Sequence, residues 1–228
     1  MPKQMYFFLK LYGSASMHAP GRETGIPIIE PEEIRAAVRV AQNYNTYVAI
    51  HCHGAKAIDN AVRAGVHTVE HASMISEETL RYIEENQLDC GIVPTLFVFS
   101  DSVAGNGSNE ETQIRLGKIK DRVIASLKNA YQHNILIGWG TDVIRDYYVE
   151  RPDTEFRLRK EWLEYSDEDI IKQATVNSAR LMYMDDRIGT IKAGKDADVI
   201  LVKGDPSRDI RVMYQKPLHV IKGGKLVR

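Results

Sequence analysis

The stretch Val48–Ala49–Ile50–His51–Cys52–His53–Gly54 decides how this chain is read. It is a short apolar run of strand type that ends in histidine. One helix-length later, Val66–His67–Thr68–Val69–Glu70–His71 repeats the arrangement. A third run, Ile135–Leu136–Ile137–Gly138–Trp139–Gly140–Thr141–Asp142, ends in a carboxylate. Strands that alternate with helices run parallel, so their C-terminal ends collect on one side. Histidines and an aspartate gathered there are the residue types that build a metal site at the mouth of a parallel β/α barrel.

Working outward, apolar runs and amphipathic stretches alternate through most of the chain. Residues 6–12 read as a strand. Glu30-Pro31-Glu32-Glu33 opens a helix to about Tyr44, with proline in the first turn and acids beside it to suit the helix dipole. A strand at 47–51, a helix over 55–64 and a strand at 66–70 follow. Ser76 caps a helix over 76–86. Residues 89–93 are a strand that stops before Pro94. Ser100 to Asn109, rich in Gly, Ser and Asn, reads as a loop. A long charged helix covers 111–133, a strand 135–139, and helical pattern runs from 154 to 182 with a break near Ser166-Asp167.

After Met184 the style changes. Asp198–Lys203 and Pro217–Lys222, set among Gly189, Gly194, Gly204, Gly223 and Gly224, read as short strands and tight turns. The expected organisation is therefore α/β: residues 1–184 as a partial TIM-like (β/α) barrel, and residues 185–228 as a small C-terminal β-sandwich appendage. Five barrel-type strands are countable, where a closed barrel has eight.

Bulk properties narrow the function classes. Of 228 residues, 43% are apolar and 27% charged, which is ordinary for a globular chain able to bury a sizeable core. A net charge of −1 gives no electrostatic reason to expect nucleic acid or an anionic membrane as partner. No window approaches the ~18 consecutive apolar residues of a membrane span. Lys10 cuts the opening apolar run short and no small-residue cleavage site follows, so a signal peptide is not expected. The two cysteines, Cys52 and Cys90, offer no disulfide framework and suit a cytoplasmic setting.

Because side chains alternate along a strand, His51 and His53 face one way and Cys52 the other. A His-x-His taken alone serves packing or a surface more often than it serves a metal. His71, one βα repeat further on, reaches the same end of the next strand, while His67 lies at the opposite end and reads as a packing histidine. Asp142 is by local pattern a turn acid or helix cap as readily as a functional carboxylate. Its place at a strand end beside the histidines adds the second role: a carboxylate there can bind metal and relay a proton. Lys10 lies inside Phe7-Phe8-Leu9-Lys10-Leu11-Tyr12, where it is either paired, modified or on an edge strand.

Together these stretches resemble the amidohydrolase superfamily, most closely its imidazolonepropionase-like and prolidase-like branch. Phe8-Leu9-Lys10-Leu11 is similar to the fourth barrel strand, Val48–Gly54 to the fifth, Gly65–His71 to the sixth and Gly138–Asp142 to the eighth. Ala174–Leu181 and Gly189–Val202 resemble the late helix and the return into the β-sandwich. The resemblance implies a metal-dependent hydrolase of a C–N bond. Lys10, His51 and His71 would form one metal position, with Lys10 as a carboxylated bridge. Asp142 would serve a second metal and carry the proton. His53 then faces substrate, and Tyr12, Arg145 and Phe97 are candidates to line the pocket.

The cofactor so implied is a divalent metal, with zinc the default for histidine and carboxylate ligands. The substrate would be small: a dipeptide with proline, an N-acylated amino acid or a cyclic amide. The resemblance also brings a departure. Its members carry a first barrel strand ending in His-x-His, and no segment before Lys10 supplies one. The reading is thus of strands four to eight only, completed by a complementing N-terminal fragment or by a homo-oligomer. The competing expectation is a non-catalytic remnant that binds metal weakly.

Overall fold

The computed structural model of the chain describes residues 8–16, 24–100, 110–143 and 152–228. They fall into two compact units, one drawn from Met1–Pro94 and Ala104–Leu136, the other from Thr95–Val103 and Ile137–Arg228.

The first unit is α/β. Its sheet has the order β1 (Leu9–Tyr12), β2 (Val48–Cys52), β3 (Thr68–His71) and β4 (Gly91–Val93), and every pairing is parallel. Helices α1 (Pro31–Asn43), α2 (Ala55–Arg63) and α3 (Glu77–Glu85) make the crossovers. Local chemistry starts them where the sequence expects. The Glu33 carboxylate accepts from the Glu30 N–H at 2.9 Å ahead of Pro31, and Ser76 Oγ accepts from the Thr79 N–H at 3.2 Å.

Register divides the sheet into two faces. Ile50, Val69 and Ile92 are partners across β2, β3 and β4 and are fully buried. The buried stripes of α1 (Ile34, Val38, Ala41) and α2 (Ile58, Ala61, Val62) cover this side. Gly13 is needed here, because a Cβ would come within 2.5 Å of Cys52 Sγ and 2.7 Å of Ile50 Cδ1. Lys10, Tyr12, Ala49, His51, Thr68 and Glu70 share the other face. Helix α4 (Glu110–Gln132) is tied to the α3 region. Ser126 Oγ donates to the Ile75 carbonyl at 2.6 Å, and Asn129 Nδ2 donates to Glu77 Oε2 at 2.7 Å. His133 spans Glu84 (2.7 Å) and Glu77 (3.0 Å).

The second unit contains a 3₁₀ turn at Leu96–Phe99, then α5 (Thr154–Glu161), α6 (Asp167–Lys172), a π-helical turn at Gln173–Asn177 and α7 (Ser178–Leu181). Ser166 is the N-cap at the expected break, its Oγ accepting from the Asp169 N–H at 3.1 Å. A three-stranded antiparallel sheet of β5 (Val199–Leu201), β6 (His219–Lys222) and β7 (Lys225–Leu226) follows the helices.

One expected element is not formed. No strand spans 135–139; only Ile137 makes a β-bridge. The Leu136 carbonyl still accepts from the Ile92 N–H at 2.9 Å, but Gly138 and Gly140 disfavour an extended ladder beyond it, and side chains take main-chain groups of Ile137, Gly138 and Trp139, as described below. No helix among the described residues is long and apolar enough to cross a membrane.

Candidate metal centre

The end of β2 carries His51 inside the ladder and His53 just beyond it. The Ser14 hydroxyl, two residues past β1, accepts from the His53 N–H at 3.0 Å, and the His53 carbonyl accepts from the Met74 N–H at 2.9 Å. His53 is thereby fixed between the exits of β1 and β3. His71 closes β3. In strict alternation it would share the face of Cys52, its register partner. The backbone departs from the pleat at this point: His71 has φ 69° and Ala72 has φ 46°. Left-handed φ at two successive residues that are not glycine costs on the order of 1–3 kcal/mol each. It takes the His71 ring out of the pleat, to 4.6 Å from the His51 ring.

The result is a cluster of three buried imidazoles. Ring centroids of His51 and His53 lie 4.5 Å apart, and those of His53 and His71 also 4.5 Å. One ring nitrogen from each falls within 4.8 Å of the others, and exposures are only 3–7%. Burial lowers the basicity of His51 to about 4, with the Lys10 charge acting in the same direction. Burial, then His51 and Lys10, lower that of His71 to about 3. These rings are therefore neutral at neutral pH and present lone pairs. His51 Nε2 is buried and has no hydrogen-bond partner among the described residues. A buried acceptor left so costs about 1–3 kcal/mol, a cost that coordination of a cation removes. His53 differs: its Nδ1 sits 2.9 Å from Ser73 Oγ, which fixes the orientation of its ring. The donor set thus fits a divalent metal of the borderline kind that imidazole prefers.

Of the other residues singled out from sequence, Tyr12 lies against His51 with ring centroids 4.9 Å apart and is 61% exposed, open to a ligand. Lys10 is exposed on the same sheet face and is near enough for its charge to depress both His51 and His71. His67 is at the opposite end of β3, bonded through Nδ1 to the Asp89 carbonyl at 2.9 Å and edge-on to Tyr47 at 5.0 Å. Asp142 belongs to the second unit, at φ 52°, a conformation aspartate tolerates better than most residues. Phe97 is buried in the 3₁₀ turn, and Arg145 lies outside the described residues.

Sequence reasoning had no view of Ser14 and Ser73, which hold His53. The one available signal was that each lies just past a strand on the histidine-bearing side. It also had no view of Glu155 and Arg159, whose i, i+4 spacing reads as a solvated helix pair but which are 1% and 0% exposed.

A parallel sheet with histidines at its C-terminal edge defines the class, and comparison with known proteins agrees with it. The chain matches the amidohydrolase family over residues 8–228 and belongs to that family. It is 28% identical to an ochratoxinase of Aspergillus niger, over 96% of this chain and 46% of that protein. It is also 28% identical to an imidazolonepropionase of Picrophilus torridus, over 75% of this chain and 39% of that one. A prolidase solved in complex with N-methylphosphonate-L-proline superposes with a TM-score of 0.87 at 27% identity, covering 97% of this chain and 54% of the other. The chain therefore spans about half the length of the relatives it matches.

Proposed function

We propose that this chain contributes the histidine-bearing part of a metal-dependent amidohydrolase that cleaves a C–N bond. The observation that carries the reading is the buried His51–His53–His71 cluster with an orphaned Nε2 at the edge of a parallel sheet. In this reading the sheet belongs to a TIM-like barrel, and the antiparallel strands β5–β7 to a β-sandwich.

His51 and His71 would hold the ion, with zinc favoured by the imidazole donors. Lys10, on the same face, would join them as a carboxylated bridge. When bound, the ion supplies Lewis acidity towards a carbonyl and makes water more acidic. The remaining work falls to the chain itself. Asp142 accepts a proton from the attacking water and hands it to the departing nitrogen, so that the amine leaves neutral. His53, held by Ser73, and Tyr12 contact the acyl side of the substrate, and Arg145 is the cationic candidate for its carboxylate. Prolidase and ochratoxinase likenesses favour a dipeptide ending in proline or an N-acylated amino acid, with a cyclic amide as the variant nearest to imidazolonepropionase.

The test is metal content per purified chain, prepared without chelator and with bicarbonate present. About one zinc per chain, lost in His51→Ala and His71→Ala, supports the reading. About two would point to further ligands from a second copy or a complementing chain, and hydrolysis should then be sought with Xaa-Pro dipeptides. A folded chain that takes up no metal would overturn the site and favour a non-catalytic remnant.

A further inference from the structure

Within the second unit, three successive residues leading to Asp142 give their main-chain groups to side chains. Asn177 Nδ2 donates to the Ile137 carbonyl at 2.9 Å, Arg159 Nη1 donates to the Gly138 carbonyl at 2.9 Å, and the Trp139 N–H donates to Ser178 Oγ at 2.9 Å. The three holding residues come from α5 and from the helical run Gln173–Leu181. Its π-helical turn, Gln173–Asn177, ends next to Ser178, whose hydroxyl donates in turn to the Gln173 carbonyl at 2.7 Å. Widened turns of this kind recur at functional sites.

Arg159 is the centre of this arrangement. It is fully buried, and Nη1 also donates to Gln173 Oε1 at 2.6 Å. Its guanidinium lies 4.6 Å from the centroid of the Trp139 ring, which also packs on the Phe156 ring at 4.2 Å. Nε donates to Glu155 Oε1 at 3.0 Å. Glu155, 1% exposed, accepts in addition from the N–H groups of Leu96 (3.3 Å) and Phe97 (3.0 Å). One buried pair therefore fastens the turn that follows β4 and the segment that precedes Asp142.

Stability alone gives little reason for such a pair, because well-packed apolar replacements of buried ion pairs are often neutral or stabilising. What an apolar side chain cannot do is grip the Gly138 carbonyl and stack on Trp139. The grip matters because Gly138 and Gly140 leave the run up to Asp142 without intrinsic stiffness.

We infer that Arg159, seated on Glu155, is a positioning residue that sets where the Asp142 carboxylate points, with Ser178 and Asn177 as its auxiliaries. The inference rests on the reading of Asp142 as the working carboxylate.

The test is NMR of the 228-residue chain, labelled in one sample with 5-fluorotryptophan and in another with ¹³C at the aspartate carboxyls. Trp139 is assigned by comparison with Trp162→Phe and Asp142 by comparison with Asp142→Asn. Arg159→Met is expected to move both the Trp139 and the Asp142 carboxyl resonances, and Arg159→Lys to return them part of the way. Ser178→Ala should move them by less. An Asp142 resonance unmoved in Arg159→Met would overturn the inference and leave Arg159 a structural residue. Should Arg159→Met fail to fold, Ser178→Ala and Asn177→Ala carry the same test. Failure of the underlying reading is separable: Asp142→Asn would then leave hydrolysis by the metal-loaded, assembled enzyme intact while the Asp142 resonance still moves on Arg159→Met.

Discussion

At the ends of β2 and β3, His51 and His71 sit on a parallel ladder whose neighbours on either side are β1 and β4. The segment from Ile137 to Asp142 has a different support: Asn177, Arg159 and Ser178 bind its main chain. A ladder distributes its hold over many equivalent main-chain bonds, so no single side chain is indispensable to it. The second support is concentrated in a few side chains, one of them a buried cation. The two regions should therefore fail differently when mutated.

The largest difference is expected at Arg159. Removing one partner of a buried ion pair leaves the other charged and unpaired, at about 3–5 kcal/mol. Arg159→Met should lower the denaturant midpoint by a corresponding amount when followed by tryptophan fluorescence, since Trp139 and Trp162 both lie in the second unit. Burial already holds the Glu155 carboxyl above the usual range against the pull of Arg159. A variant as stable as the parent would show that the pair carries no such load.

Next comes the histidine cluster. Zinc at 100-fold above its Kd should stabilise the chain by about 2.7 kcal/mol, and His51→Ala should abolish that gain while costing the metal-free protein little, because it deletes the orphaned Nε2. An undiminished zinc effect in His51→Ala would remove His51 from the centre. The metal-free protein should also show a defined pH response. His51 and His71 titrate in the folded chain at about 4 and about 3, below their ordinary value of 6.5. Between those values the unfolded chain binds protons that the folded chain refuses. Stability is thus complete above about pH 6.5 and is lost as pH falls towards 4 and then 3, a loss that His71→Asn should reduce in urea titrations at stepped pH.

Ser178→Ala should cost about 1 kcal/mol, the scale of one hydrogen bond. Its effect should appear in the second unit alone, as faster amide exchange at Trp139. The smallest effect belongs to His133, whose basicity is raised chiefly by Glu84 and then Glu77. Its sign is opposite to that of His51: its contribution is complete below pH 6.5 and fades as pH rises through the folded value. His133→Gln should flatten the alkaline side of the stability profile and leave the acid side in place.

Much of the first unit is legible in the sequence because its signals are local. Strand runs ending in His51 and His71, the caps at Glu30-Pro31 and Ser76, and the helical periods between them place elements within a residue or two. The break at Ser166 is legible for the same reason. The expected strand over 135–139 stops short because an apolar run records burial and not the partner that satisfies its carbonyls: that of Leu136 accepts from Ile92 of β4, but those of Ile137 and Gly138 go to Asn177 and Arg159. His53 is a related case. Alternation puts it on the face of His51, yet its closeness to His71 depends on the left-handed turn at His71 and Ala72, which nothing in those residue types announces.

The sequence by itself determined membership in the amidohydrolase family, the order of the βα repeats, and the histidines and aspartate as the residues to watch. Membership is carried by the resemblance of whole motif stretches to the family; the repeats and the residues to watch follow from hydrophobic period and from residue chemistry at strand ends, all of it written along the chain. Only the tertiary structure decided that three imidazoles converge, that His51 Nε2 is buried without a hydrogen-bond partner among the described residues, and that a glutamate–arginine pair spaced like a surface pair is in fact enclosed. Burial and convergence depend on what the rest of the chain brings alongside, and an unpaired lone pair or a buried charge acquires its energetic weight only once water has been removed from it.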